Sequence, residues 1–446
     1  MNRHLVIRCA VVASLGGFLF GFDTAVISGT TGALTELWQL SPGQLGVTVS
    51  SALWGTITGA LIGGFPADRF GRKPVLFAIA ALYVISALGT ALVSDWGLFL
   101  ALRILGGLAV GGASVIAPLY TAEISPAKIR GRLVATVQFN IVIGIVAAYI
   151  SNWIIVGIAP EDAAWRWMLG IEAVPAAVFF VLLFTIPESP RWLEGKGRTA
   201  EARRIMRALF DPQEYATLRA SFESLGSAGA GTLERGHRTR FFSRSNLRPI
   251  LLATLIAVFS QFAGTNAILY YAPSLLEQAG IPGDSAFFAS ISVGVVNMVF
   301  TGLGMVLIDR IGRRPLVTIG ASINFVALIA IAVIFLVTGS NVSPVTGMVI
   351  LALILVFIAA LAAGLGSVLW PYIAEIFPNE HRARGQALGS TAHWVSSALV
   401  SGLFPVMASF SMTFTFLFYA AFMGAAVIWS RTMMVETKGT RLEEVH

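Results

Sequence analysis

The feature that most constrains this chain is a series of twelve long apolar segments. Windows of about 19 residues place them roughly at residues 8–32, 46–66, 74–93, 97–120, 133–157, 167–186, 250–273, 286–308, 315–338, 346–371, 386–408 and 412–433. A helix of about 20 residues crosses the hydrocarbon layer of a bilayer. Since 56% of the residues are hydrophobic and only 12% are charged, a soluble globular fold is excluded. The sequence predicts an all-α integral membrane protein of twelve transmembrane helices that has the lipid bilayer as its partner.

The N-terminal stretch resembles a signal peptide only superficially. Its apolar run from Cys9 to Thr31 is long enough to span, contains Asp23 and lacks a convincing cleavage site. We therefore expect a retained first span. Cys9 is the single cysteine, which excludes an intramolecular disulfide and a cysteine-based metal cluster.

The basic residues predict the orientation of the spans. Of the 30 Lys and Arg residues, 28 fall in the termini and in alternate loops, on one side of the membrane, and only Arg103 and Arg166 do not. By the positive-inside rule, this side and both termini are cytoplasmic. The net charge of +7 is thus a topology signal, so we expect no nucleic-acid partner.

The two groups of six segments repeat each other. Asp-Arg-Phe-Gly-Arg at residues 68–72 returns as Asp-Arg-Ile-Gly-Arg at residues 309–313, an offset of 241, and two glutamates repeat at offsets of 252 and 248. The expected domains are a bundle at residues 1–189, a helical cytoplasmic linker at 190–248 with a Gly/Ser/Ala patch at 226–231, and a bundle with a short tail at 249–446. Such duplicated units pack around a central polar site that opens alternately to each side.

Eight short motifs in order identify a family. The chain resembles the sugar porters of the major facilitator superfamily, which include bacterial xylose and galactose proton symporters and animal facilitative glucose transporters. The motifs are GFLFGFD (17–23), DRFGRK (68–73), RILGG (103–107), PESPRW (187–192), QFAGTNAILYY (261–271), DRIGRR (309–314), EIFP (375–378) and ETKG (436–439). The resemblance implies the major facilitator fold, and we expect a protein that functions as a monomer in the cytoplasmic membrane.

Three ionisable residues of the first half lie within predicted spans, where a charge is costly unless it is paired or faces water. They are Asp23, Arg103 and Glu172. The resemblance implies that Asp23 pairs with Arg103 and that the proton is the coupling ion. The alternative is a static salt bridge. Glu172 either assists the proton step or is a half-exposed carboxylate beside Arg166 near the outer end of span 6.

An uncharged sugar needs amides for its hydroxyls and aromatic faces for its ring. The candidates are Phe20, Gln138, Ser260, Gln261, Asn266, Tyr270, Asn297, Gly366, Trp370, His393 and Trp394. Gln261 and Asn266 are five residues apart, so both reach one sugar best if the helix loosens near Gly264. The alternative for each lone amide is a hydrogen bond that joins two helices.

Three positions depart from the family pattern. Ser260 replaces the usual first glutamine of span 7, and His393 replaces an amide in span 11, so we expect an altered substrate preference or pH profile, of which the simplest form is a different hydrogen bond. Ser367 replaces a common proline after Gly366, which leaves the flexibility of span 10 open.

A last set of charges recurs at the cytoplasmic ends of the spans. The resemblance implies a gate whose ion pairs close the inner side in the outward-open state; the alternative is solvated loop charges. The residues are Asp68, Arg72, Glu123, Arg130 and Glu188, mirrored by Asp309, Arg313, Glu375, Arg382 and Glu436.

These features predict secondary active transport of a hexose or pentose by alternating access, coupled to proton symport through Asp23 and Arg103. The rival hypotheses are a facilitative sugar uniporter and a sugar sensor that does not transport. The sequence shows no set of nucleophile and base, no metal cluster and no phosphate loop. We therefore expect neither an enzyme nor any cofactor other than the proton.

Overall fold

The computed structural model describes residues 3–217, 241–243, 246–339, 342–378 and 381–438. Within them, twelve helices are long and apolar enough to cross a membrane, which confirms the all-α twelve-span prediction. Numbered in chain order, spans 1–12 are Arg3–Gly29, Pro42–Ile62, Arg72–Leu92, Trp96–Ile124, Arg130–Ile158, Glu161–Thr185, Leu247–Tyr270, Gly283–Ile311, Arg313–Thr338, Pro344–Glu375, Arg384–Phe410 and Met412–Thr432. The patch predicted at residues 226–231 and the residue Gly439 lie outside the described residues.

Short helices connect several spans. They are Thr31–Trp38, Gly64–Phe70, Pro190–Gly195, Thr199–Leu209 and Ala272–Gln278. The helix Thr199–Leu209 belongs to the predicted linker and is amphipathic. It buries Ala202, Ile205, Met206 and Leu209 in the apolar core of the first half, so this helix of the linker is packed onto the first half.

Local sequence explains where several spans begin and turn. Ser41 caps span 2 in a reciprocal capping box with Gln44, and Asp95 accepts from the backbone of Leu98 at the start of span 4. The repeated charge motif contains Gly71 and Gly312, whose φ angles are +108° and +101°. Only glycine adopts such a backbone at little cost, so the same sharp turn joins span 2 to span 3 and span 8 to span 9.

Within the first half, small residues bring helices close together. A side chain at Gly107 would collide with the backbone of Ala52, and one at Gly21 would collide with the backbone of Ile141. Span 4 therefore packs directly on span 2, and span 1 on span 5. Close backbone approach at glycine is the usual packing mode of membrane helices, and it places Asp23 and Arg103 at fixed depths.

Three of the spans are interrupted. Span 6 consists of the helices Glu161–Gly170 and Ala173–Leu182, with Glu172 at the junction. Span 7 breaks at Gly264, and span 10 contains a π-helical segment, Ala362–Gly366. Interruptions of this kind mark functional sites in transporters.

The two halves meet at one face of the molecule. Thr31 and Ser274 share a hydrogen bond of 2.9 Å, and the Tyr149 hydroxyl donates to the backbone oxygen of Leu269 at 2.7 Å. Gly46 of span 2 packs against the backbone of Gly402 in span 11. We name the other face, which carries the two copies of the repeated charge motif (residues 68–72 and 309–313), the motif face.

Candidate functional site

A buried ion pair lies in the middle of the first half. Arg103 Nη1 in span 4 donates to Asp23 Oδ1 in span 1 at 2.5 Å. The two residues are 2% and 5% exposed, so neither charge has bulk water as an alternative partner. The pairing that the resemblance implied is therefore present, and removal of one partner of a buried pair is costly.

Glu172 belongs to the same cluster. It is only 4% exposed, and its carboxyl group interacts electrostatically with both Asp23 and Arg103. Arg166 instead donates to the backbone oxygens of Ala91 and Val93. The alternative of a half-exposed Glu172 is therefore wrong: the break in span 6 turns this side chain inward.

A second polar cluster lies in the second half, at the break in span 7. The helix Leu247–Phe262 ends, Gly264 adopts a φ of +93°, and the helix Thr265–Tyr270 begins. The predicted loosening near Gly264 is confirmed. As a result, Asn266 Nδ2 donates to Gln261 Oε1 at 2.8 Å and to Ser397 Oγ at 2.5 Å.

His393 connects this cluster to a group of aromatic side chains. Gln261 Nε2 lies 3.1 Å from His393 Nδ1, and the imidazole centroid is 5.1 Å from the ring of Trp370 and 5.0 Å from that of Trp394. Trp394 in turn lies 5.4 Å from Phe20 of span 1. Amide donors and acceptors thus lie beside flat apolar surfaces where the two halves face each other.

Three more sugar candidates lie on spans 7 and 10, which also carry Gln261 and Trp370. Ser260 Oγ is 3.5 Å from His393 Nδ1. The side chain of Tyr270 is buried and bonds to Thr24 of span 1. Gly366 closes the π-helical segment of span 10, and Ser367 Oγ donates back into that segment, to the oxygen of Ala362.

Two candidates stand apart from the cluster. Gln138 and Asn297 are partly exposed on spans 5 and 8. The hydrogen bonds among the described residues do not join them to the Gln261 cluster. Their role in sugar binding stays a prediction. Conversely, sequence reasoning missed Ser397, although its position four residues after His393 puts both on one face of span 11.

Eight of the ten predicted gate residues form two matching networks on the motif face. In the first half, Arg72 binds both oxygens of Glu123 at 2.9 and 3.0 Å and Asp68 at 3.1 Å. In the second half, Arg313 binds both oxygens of Glu375 at 3.1 and 2.8 Å, with Asp309 at 3.6 Å. A bidentate pair of arginine and carboxylate therefore recurs at the equivalent place in each half.

One further carboxylate completes each network, but in different environments. Glu188 accepts from the backbone nitrogens of Arg72 and Lys73, and Glu436 accepts from those of Arg313 and Arg314. Burial raises the pKa of Glu188 despite these donors. Burial also acts to raise the pKa of Glu436, but backbone donors outweigh it there and the pKa is lowered.

The expected gate differs from the structure in one respect. The ion pairs that Arg72 and Arg313 make on the motif face join residues of the same half. Arg130 contributes only a long contact of 3.4 Å to the oxygen of Ser125, and Arg382 Nε and Nη2 have no hydrogen-bond partner among the described residues. In this arrangement the halves are joined at the opposite face and not by these motif-face pairs.

Comparison with known proteins agrees with this architecture. Residues 9–446 match the family model described as "Sugar (and other) transporter". The arabinose-proton symporter of Bacillus subtilis (strain 168) is 35% identical, with 100% of this chain and 95% of that protein aligned. The D-xylose-proton symporter of Escherichia coli (strain K12) is 34% identical, with 100% of this chain and 96% of that protein aligned.

Solved structures give the same result. The inward-open conformation of the xylose transporter XylE from E. coli superimposes with a TM-score of 0.85 at 33% identity, over 99% of both chains. XylE bound to 6-bromo-6-deoxy-D-glucose gives a TM-score of 0.78, over 100% of this chain and 99% of that one. The match in sequence and fold runs along the entire length, so the chain belongs to the sugar transporter family.

Proposed function

We propose that this protein is a monosaccharide–proton symporter that works by alternating access. The observation that carries the proposal is the buried Asp23–Arg103 pair next to an uncharged site of amides and aromatic rings. A uniporter needs the second of these features but not the first. The relatives named for arabinose and D-xylose symport support the same conclusion and make pentoses the first sugars to test.

The sugar binds between the halves, against Trp394 and Trp370. Sugar hydroxyls need groups that both donate and accept, and Gln261, Asn266 and His393 offer both. These side chains bond to one another through Gln261, so a bound sugar exchanges these bonds for its own. An isolated buried amide would lose hydrogen bonds when the site empties, and the network removes that cost.

The proton acts on the first half. An ionised Asp23 is held by the guanidinium of Arg103 at 2.5 Å, and protonation of Asp23 removes the attraction between spans 1 and 4. The two protonation states then favour different arrangements of these helices. Because the same opening must accompany sugar binding, downhill proton entry drives sugar uptake.

Alternating access requires that each face opens in turn. The contacts of Tyr149 with Leu269 and of Thr31 with Ser274 close one face. The motif face carries the gate, where Arg130 and Arg382 are available to bridge the halves when that face closes. Weak pairs suit this role, because the two states must differ by only a few kcal/mol.

The arrangement in the cell follows from the charge distribution. We place the motif face and both termini in the cytoplasm, in a multi-pass protein of the cytoplasmic membrane that functions as a monomer. The proton is the coupling ion, and no further cofactor is required. The residue sets named above perform binding and coupling rather than chemistry on the sugar.

Substitution of Asp23→Asn tests the coupling. We expect the variant, in proteoliposomes with an imposed pH gradient, to lose accumulation of labelled D-xylose or L-arabinose while exchange of internal for external sugar persists. Thr254→Ala is the matched control, because its hydroxyl bonds only within its own helix, to Ile250.

Each rival hypothesis gives a different result. Uphill uptake that survives in Asp23→Asn contradicts coupling through this residue, and wild-type uptake that ignores the pH gradient indicates a uniporter. Sugar binding without any flux indicates a sensor.

A further inference from the structure

Span 3 contains a buried tyrosine with an unused hydroxyl. Tyr83 is 1% exposed, and its hydroxyl has no hydrogen-bond partner among the described residues. A buried hydroxyl without a partner is unfavourable and is uncommon in folded proteins. In a protein that changes conformation, such a group needs a partner in another state of the cycle.

The charged groups that act on this hydroxyl belong to the buried cluster of Asp23, Arg103 and Glu172, which we name the coupling cluster. The Tyr83 hydroxyl interacts electrostatically with Asp23 of span 1 and Glu172 of span 6. Arg103 of span 4 faces the same cluster, and Tyr270 of span 7 interacts with Asp23 and Arg103 from the other half. Tyr83 thus brings a neutral donor and acceptor to a cluster of two carboxyl groups and one guanidinium.

Arg103 has spare hydrogen-bonding capacity as well. Its Nη1 is taken by Asp23, whereas Nε and Nη2 have no partner among the described residues. Among the described residues, three donor atoms of the cluster thus have no partner, two on Arg103 and one on Tyr83, and they lie around two carboxyl groups. It is not a fully bonded structural network, and it can exchange partners.

The internal repeat supplies a comparison for Tyr83. The offset of 241 that relates Asp68 to Asp309 pairs Tyr83 with Asn324 of span 9. Asn324 is 0% exposed and its side-chain atoms also lack described partners. The buried ionisable cluster of Asp23, Arg103 and Glu172 belongs to the first half alone, so the two positions share burial and polarity but differ in their charged surroundings.

The charge of the cluster explains why a neutral donor is useful. With one arginine and two carboxyl groups, the cluster is neutral when the two carboxyls together hold one proton. Arg103 then serves one carboxylate and leaves the second carboxyl group without a cation. A tyrosine hydroxyl can donate to an ionised carboxylate and accept from a protonated one, so it suits either protonation state.

We propose that Tyr83 is a positioning residue for proton coupling, whose hydroxyl donates to whichever of Asp23 and Glu172 is ionised and not held by Arg103. This inference rests on the proposed symport. In the arrangement described here, Arg103 holds Asp23, and the Tyr83 hydroxyl has no hydrogen-bond partner among the described residues. When Arg103 releases one of these carboxylates during the cycle, the hydroxyl donates to that carboxylate and stabilises its ionised form until the proton binds.

Tyr83→Phe tests the inference, since it removes only the hydroxyl and leaves the ring that packs span 3. A hydroxyl that donates to a carboxylate favours the ionised form, so its loss strengthens proton binding. We expect the pH at which D-xylose accumulation is half-maximal, the pH midpoint, to rise by about one unit. This corresponds to a tenfold gain in proton affinity. Exchange of internal for external D-xylose should keep its wild-type rate.

Asn324→Leu is the matched control, because it removes a buried unpartnered polar group at the equivalent place in the other half. It should leave the pH midpoint at the wild-type value. Infrared titration of the protonated carboxyl band in the purified protein gives a second readout that needs no transport. The band should shift in the same direction as the uptake midpoint in Tyr83→Phe only.

The outcomes separate this inference from the proposed function. A wild-type midpoint in Tyr83→Phe by both readouts overturns the role of Tyr83 while symport stands. A midpoint that moves equally in Asn324→Leu also overturns it, because buried polarity alone would then explain the effect. If wild-type uptake ignores the proton gradient, the symport proposal fails, and the infrared band still decides whether Tyr83 bonds to the carboxyls.

Discussion

The two halves of the molecule share a scaffold and differ at their centres. Each half has a glycine turn, at Gly71 or Gly312, and a bidentate pair of arginine and glutamate on the motif face. The offset of 252 that relates Glu123 to Glu375 pairs Arg103 with Leu355. The turn and the network are thus present in both halves, whereas the buried ion pair of Asp23 and Arg103 lies in the first half.

This difference teaches how one fold divides two tasks. In the proposed cycle the gate on the motif face is formed by both halves, so a copy of the motif-face network in each half is useful. A buried charge, in contrast, is costly and would also disturb the binding of an uncharged sugar. The first half therefore concentrates the ionisable groups, and the second half concentrates neutral hydrogen-bonding groups around Gln261.

The largest expected effect on transport and stability comes from breaking the buried ion pair of the first half. In Arg103→Met, Asp23 and Glu172 lose their cation, and removal of one partner of a buried pair costs about 3–5 kcal/mol. We expect lost uphill uptake and a lower unfolding temperature in detergent. The control Leu355→Met introduces the same residue, methionine, at the equivalent place in the second half. It should lower the free energy of unfolding by less than about 1.5 kcal/mol.

A double variant sharpens this prediction. Asp23→Asn together with Arg103→Met removes both charges, so it should recover much of the stability lost in Arg103→Met. If the double variant is no more stable than the single one, the unpaired buried charge is not the cause of the loss.

A smaller effect is expected at the uncharged cluster around Gln261 in the second half. Gln261→Ala removes the amide that joins Asn266 to His393, so each of them loses one hydrogen-bond partner, which costs about 1–3 kcal/mol in binding. We expect roughly a tenfold to hundredfold weaker apparent affinity for D-xylose, with an unchanged pH midpoint of uptake. A shifted midpoint would contradict the division of tasks between the halves. Thr254→Ala again serves as the control on the same span.

The smallest effect is expected on the motif face, as a difference in pH dependence between the two networks. The raised pKa of Glu188 means that its contribution to stability is full below the pKa of the unfolded chain and is lost as pH rises through the folded value. The lowered pKa of Glu436 gives a contribution that is present above the unfolded pKa and lost as pH falls through the folded value.

Paired glutamine variants measure this difference by thermal unfolding in detergent. Relative to wild type at neutral pH, Glu436→Gln should lose more stability than Glu188→Gln. On acidification below the unfolded pKa of glutamate, about 4.3, the loss in Glu436→Gln should fade. Equal losses in both variants at neutral pH would show that the different surroundings of the two carboxylates do not matter.

Much of the architecture could be predicted from the order of the residues. Span number follows from apolar length, because a bilayer leaves few alternatives to a helix. The loosening near Gly264 could be predicted because Gln261 and Asn266 lie about 140° apart on a regular helix, so both reach one sugar best if the helix is interrupted. The pairing of Asp23 with Arg103 came from family resemblance rather than from spacing, because the two residues lie in different helices.

The sequence by itself thus determined the spans, the repeat and the kind of chemistry in each half, because these depend on hydrophobic length, spacing along one helix and residue type. Tertiary structure alone decided that Glu172 faces Asp23, that Ser397 accepts from Asn266, and that Arg130 and Arg382 stand outside the two networks. The physical reason is that contact between helices depends on their crossing, depth and rotation. These are set by many small packing contacts, such as Gly107 on Ala52, which no single stretch of sequence contains.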